Sequence, residues 1–277
     1  LGAGYVLLRN WLRKGVQSAA DLEDMGLTVF ATINKSPDAE KPEGGRGGRV
    51  PLLAATKPTD LAVEGLRSLR TGLHFGMLDA PSRTLAITST APGAGKSFLS
   101  ANFAVVSAQA GQTVCLIDAD MRRGRLRRMF DVPRDAPGFA DILTGQARLE
   151  DVLVPTGVPG LVFLPAGKFP PNPAELLLRP TLPALIRDLD QRFDLSIFDC
   201  PPVLAVTDPV IIAKAAGASL LVARFDETPE GEIRAAQGAM EAAGTGFKGA
   251  VLNAYDHRKA KSGQAYSYRY EYKAKAE

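Results

Sequence analysis

The stretch Ser89-Thr-Ala-Pro-Gly-Ala-Gly-Lys-Ser-Phe98 concentrates residues able to handle phosphate. Gly93 and Gly95 free the backbone to curl its N–H groups around phosphate oxygens, and a helix starting at Lys96 adds the favourable end of its dipole. Lys96 can reach β- and γ-phosphates and Ser97 can ligate magnesium. Pro92, Gly93, Ala94, Gly95, Lys96, Ser97 and Phe98 therefore read together as a nucleotide cradle. One position departs from the usual spacing: the glycine expected six residues before the lysine is Thr90.

Carboxylates follow two apolar runs, in Leu116-Ile-Asp118-Ala-Asp120-Met-Arg122 and Leu195-Ser-Ile-Phe-Asp199-Cys-Pro-Pro202. Ligands of open α/β sheets bind beyond the carboxyl ends of strands, so these side chains are candidates to face bound phosphates. One such Asp alone is an ordinary turn or cap residue; three behind one phosphate loop predict a hard-cation shell of Ser97, Asp120, Asp199 and phosphate oxygens. His74 and His257 have no companions at metal-ligand spacing and read as structural or exposed.

The elements needed to position these groups alternate. Leu85–Thr88, Thr113–Ile117, Leu161–Leu164, Leu195–Phe198, Ser219–Ala223 and Gly249–Leu252 are short apolar runs spaced by helix-length stretches. Runs apolar on both faces predict an α/β fold, a mostly parallel sheet sandwiched by helices. Thr59 to Leu78 has helical periodicity, with Leu61, Leu66, Leu69, Leu73 and Met77 along one face. Asn172-Pro173 reads as a capped helix start. Arg122, Arg123, Arg125, Arg127 and Arg128 read as a solvated basic helix or as a nucleotide-side or partner-facing patch.

Residues 1–25 read as helix and Leu27–Ile33 as a strand. The opening Leu1-Gly-Ala-Gly-Tyr-Val-Leu-Leu8, without Met and followed by Arg9, Arg13 and Lys14, has the pattern of a cut transmembrane helix at its cytoplasmic end; an amphipathic N-terminal helix is the alternative. Segments 36–50 and 256–277 are expected to be a flexible linker and a flexible tail. The expected division is 1–35 membrane-proximal, 36–50 linker, 51–255 catalytic domain and 256–277 tail. Hydrophobic residues make up 45% and charged residues 23%, which excludes fibrous and wholly disordered chains. The net charge of +3 arises in residues 255–277; the remainder is balanced, which excludes a basic nucleic-acid face. Cys115 and Cys200 read as core thiols rather than a disulfide framework.

Taken together these residues resemble the bacterial tyrosine kinases of exopolysaccharide export (BY-kinases), relatives of the MinD and ParA type P-loop ATPases. Glu64, Arg67 and Arg70 match that family's Glu-x-x-Arg-x-x-Arg ring-contact pattern, although their spacing also suits ordinary i,i+3 pairs. Asp118-Ala-Asp120-Met-Arg122 looks like its second nucleotide motif, which puts Arg122 with Lys96, Asp118, Asp120 and Asp199 in the expected catalytic set. Asn253 resembles a purine-contacting Asn, a turn Asn being the alternative. Tyr266, Tyr268, Tyr270 and Tyr272 resemble the family's C-terminal cluster of phosphoacceptors; their alternation also fits an edge strand. A phenol with a pKa near about 10 needs its proton accepted before it attacks a phosphoryl group, and Asp118 is the candidate base. The resemblance implies ATP and Mg²⁺ as cofactors and a homo-oligomeric ring as the assembly. It also implies a cognate tyrosine phosphatase and polysaccharide export machinery as partners, and the cytoplasmic face of the bacterial inner membrane as location. Ala91 stands where MinD-type ATPases carry an additional lysine, which opposes the switch-ATPase reading; a ring scaffold that binds nucleotide without transfer is the other alternative.

Overall fold

The computed structural model describes residues 15–39 and 50–260. Eight strands form one sheet: β1 (Val29–Asn34), β2 (Thr84–Ser89), β3 (Val114–Asp118), β4 (Val154–Pro155), β5 (Leu161–Leu164), β6 (Leu195–Asp199), β7 (Ala218–Arg224) and β8 (Gly249–Tyr255). Their order is β1-β8-β7-β2-β6-β3-β5-β4, and every pairing is parallel except the short β4–β5 ladder. The two-residue β4 is not among the strands expected from the sequence.

Alternate strand residues face opposite helical layers, as the period of two requires. Leu85, Ile87, Val114, Leu116, Leu195 and Ile197 enter one core, while Ala86, Cys115, Ile117 and Phe198 enter the other. The first layer holds α2 (Leu53–Thr56), α3 (Leu61–Gly76) and α4 (Lys96–Gln109); the second includes α5 (Phe139–Leu143), α6 (Leu149–Val152), α7 (Pro173–Leu177), α8 (Thr181–Arg192) and α9 (Asp208–Ala215). A third cluster joins β7 and β8 to α10 (Glu230–Ala242) and to Val16, Leu22, Met25 and Leu27 around α1 (Ala19–Glu23). Helix α4 is buried continuously from Leu99 to Ala108, so its small residues reflect lack of room rather than an amphipathic stripe. Its Asn102 accepts a hydrogen bond from the Ala54 N–H and donates to the Phe98 carbonyl, satisfying a buried amide.

Several expectations need correction. Only Ala19–Glu23 of the expected N-terminal helix is helical among the described residues; Gly15 instead bridges Pro229 in an antiparallel contact. A Cβ at Gly15 would lie 2.4 Å from the Asp226 backbone, so this approach requires glycine. Ser36, at the start of the expected linker, donates to Asp60, and Asp38 pairs with Lys57. Asn172 occupies the cap position of α7 without a side-chain capping bond. The arginine stretch forms turns and one 3-10 turn, Leu126–Arg128, rather than a helix. At the start of the expected tail, 256–260, the chain makes a turn with Ala260 N–H bonded to the Asp256 carbonyl, and Ala260 packs on the third cluster. Residues 1–14 and 40–49 and the four tyrosines Tyr266, Tyr268, Tyr270 and Tyr272 lie outside the described residues. Among the described residues no helix is long and apolar enough to cross a membrane.

Candidate functional site

Strand β2 delivers the chain to the middle of the sheet's carboxyl edge, where the loop from Thr90 to Gly95 turns it into α4. Gly93 and Gly95 have φ of +93° and +88°, the left-handed region that glycine occupies without strain. Nothing lies within 4 Å of a Cβ built on Gly93, so its inner side is open. A Cβ on Gly95 would lie 2.2 Å from Asn253 Nδ2.

The loop is held from behind by the C-terminal strands. Asn253 Nδ2 donates to the Ala94 carbonyl at 2.8 Å, and Arg224 Nη1 to the Gly93 carbonyl at 3.2 Å. These two residues are register partners on β8 and β7, so adjacent strands grip adjacent loop carbonyls. Asn253 is 4% exposed and turned toward the loop backbone, where the sequence suggested a purine contact. Thr90, the position lacking the usual glycine, donates its hydroxyl to Glu232 Oε2 on α10 at 3.0 Å. Its side chain turns away from the cradle into that helix, which is why the loop tolerates it.

The acidic groups meet where β3 and β6 end side by side, with Asp118 and Asp199 as register partners. Asp118 accepts the N–H of Asp120 at 3.3 Å and of Leu126 at 3.1 Å. Burial pushes its carboxyl well above the usual range, reinforced by the charges of Asp199 and Asp120. Asp199 is also raised, again by burial first, against the pull of Lys96 and hydrogen bonds from the Ser97 and Ser100 hydroxyls. Ser100 Oγ lies 3.1 Å from Asp199 Oδ1. Asp120 accepts the N–H groups of Arg122 and Arg123 at 3.2 and 3.0 Å. Lys96, Ser97, Asp118, Asp120 and Asp199 are thus brought together, whereas the guanidinium of Arg122 is directed to Asp208.

Two buried, mutually repelling carboxylates beside an open glycine cradle fit a site completed by a divalent cation and phosphate. Among the described residues no three His, Cys, Asp or Glu side chains form a metal cage by themselves. Magnesium is commonly bound by one or two carboxylates together with water and substrate phosphate. An open cleft of about 870 Å³ lies at the opposite, amino edge of the sheet, lined by Arg70, His74, Phe75, Leu78 and Asp194, and shares no residue with this cluster.

Of the expected ring-contact residues, Glu64 and Arg67 pair with each other at 2.8 Å on α3. Arg67 also donates to the Pro58 carbonyl at 2.8 Å and Arg70 to that of Val106 at 3.4 Å. Sequence reasoning missed Ser100, Asp208, Arg224 and Glu232. The departure at Thr90 was a signal for a side-chain anchor, but nothing in the spacing identified Glu232 as its partner.

An AAA domain family model, AAA_31, matches residues 82–224. Tyrosine-protein kinase etk of Escherichia coli (strain K12) is 38% identical over 280 residues, which covers 97% of this chain; the chain spans only 38% of that protein's length. The solved kinase domain of Escherichia coli ETK superposes with a TM-score of 0.81 over 92% of this chain and 99% of that one. The BceF tyrosine kinase domain is 41% identical, with a TM-score of 0.80 over 87% of this chain and all of that one. MinD of Pyrococcus horikoshii OT3, complexed with Mg-ADP, is 25% identical with a TM-score of 0.54, covering 63% of this chain and 71% of that one.

Proposed function

The chain belongs to the bacterial tyrosine-kinase family, built on the MinD-like P-loop fold, and from that premise we propose that it is an ATP- and magnesium-dependent protein-tyrosine autokinase. The observation that carries this reading is the junction of Asp118 and Asp199 on adjacent strands, next to the glycine cradle and Lys96. Residues 92–98 bind the nucleotide phosphates, and Ser97, Asp120 and Asp199 hold Mg²⁺. When bound, the cation draws charge from the phosphoryl oxygens. Lys96 does the same from the cradle side.

Asp118 accepts the proton of an incoming phenol. Its elevated pKa makes its carboxylate a stronger base than an exposed aspartate, while two backbone N–H groups fix its orientation. The acceptors are Tyr266, Tyr268, Tyr270 and Tyr272, presented by a second copy in a ring whose contacts include Glu64, Arg67 and Arg70. Each phosphate adds roughly −1.5 to −2 charge, so several turn a basic tail acidic and release it. The 51–255 segment is the catalytic domain of a longer chain anchored at the cytoplasmic face of a bacterial inner membrane. There it regulates polysaccharide assembly and export and is reset by a cognate phosphatase.

Mass spectrometry of the purified protein with and without Mg-ATP tests this. Phosphate should appear on the tyrosine cluster and vanish in a folded Lys96→Met variant. Nucleotide hydrolysis without phosphotyrosine would instead make the chain a switch ATPase.

A further inference from the structure

Asp208 is fully buried, and both its carboxylate oxygens are taken by one side chain: Arg122 Nε donates to Oδ2 at 3.1 Å and Nη2 to Oδ1 at 3.2 Å. A planar fork of this kind fixes both distance and orientation, which a lysine ammonium does not. Its two ends belong to different loops. Arg122 lies two residues beyond Asp120, in the turn whose N–H groups fold onto Asp120 Oδ1. Asp208 opens α9, the helix that terminates the loop running on from Asp199. The loops also meet where the Ala119 N–H donates to the Asp199 carbonyl at 3.1 Å, at the strand ends. The fork therefore closes a circuit through both proposed magnesium carboxylates.

We propose that the Arg122–Asp208 fork is a clasp that sets the spacing between Asp120 and Asp199, making Asp208 a positioning residue for the divalent cation. The inference rests on the reading of those two aspartates as magnesium carboxylates. Magnesium demands near-octahedral geometry at short distances, so its affinity responds to small displacements of its ligands. The cradle gains its grip on nucleotide from β2, α4, β7 and β8, whereas the fork's own hydrogen bonds run between the two loops, although α9 packs on β2 further along.

The test is calorimetric titration of ADP into the parent chain, an Asp208→Asn variant and the paired Arg122→Met, Asp208→Leu variant, with magnesium chloride or with EDTA. Asp208→Asn keeps the shape of the side chain while removing its charge, and the apolar pair leaves no orphaned buried charge to unfold the protein. The gain in ADP affinity on adding magnesium should shrink about tenfold in both variants, with affinity in EDTA within about twofold of the parent. A gain reduced by less than about threefold in folded variants overturns the clasp. So does an equal loss of affinity in EDTA, which marks general loosening, or failure of both variants to fold. If the parent itself shows no gain from magnesium, the metal reading has failed and the clasp with it. A parent that gains while the variants match it sinks the clasp alone.

Discussion

At the scale of single residues, the site is governed by what it costs to keep carboxylates charged out of water. Asp118 and Asp199 are held above the ordinary carboxylate range by burial and by charged neighbours, with hydrogen bonds and Lys96 pulling the other way. A carboxyl whose pKa is higher folded than unfolded contributes stability that is complete below the unfolded value of about 3.9 and is lost as pH rises through the folded one. The free protein should therefore lose stability from these two groups as pH climbs toward neutral. A bound cation reverses the sign by favouring the ionised pair. Thermal melts should show a larger stabilisation by Mg-ADP at about pH 8 than at about pH 5, by several degrees. Equal stabilisation at both would show that the two carboxylates do not face the cation. Cys200, next to Asp199, is buried with its thiol pushed far up, so it is an inert packing group rather than a competing nucleophile.

At the scale of elements, the loop's shape depends on strands more than a hundred residues later. Asn253 and Arg224 grip consecutive carbonyls because β7 and β8 are in register, and Glu232 fixes Thr90 from α10. Asn253→Ala would leave the Ala94 carbonyl without its partner at a cost of about 1–3 kcal/mol. Nucleotide affinity should then drop about tenfold by equilibrium titration, the equivalent of about 1.4 kcal/mol. Unchanged affinity would return Asn253 to a plain turn role. This dependence explains what the sequence made legible. The phosphate loop, its strand and the two Asp-bearing strands are local patterns, each visible in about ten residues through glycine spacing or apolar runs. The anchors are not, because an Asn, an Arg and a Glu become partners of the loop only once strand order and register exist. The arginine stretch misled for a related reason. Its period is broken by Gly124, and Leu126 is pinned inward between an exposed Arg125 and a half-buried Arg127.

For the whole molecule, helix-spaced apolar runs predicted the parallel sheet sandwiched by helices, but not the order that puts β2 between β7 and β6. That order gathers the proposed phosphate-handling groups at one edge and leaves the open cleft at the other. It also fixes where the chain departs. β8 ends at Tyr255 on the same carboxyl edge, two strand positions from β2, or about 10 Å. From Ala260 to Tyr266 the backbone spans at most roughly 20 Å. Supply of the acceptor by the same molecule and supply by another copy differ in reaction order. With acceptors supplied by another copy, the labelling rate per molecule should fall in proportion as the protein is diluted below its assembly concentration. A rate indifferent to dilution would mean that each molecule writes on itself.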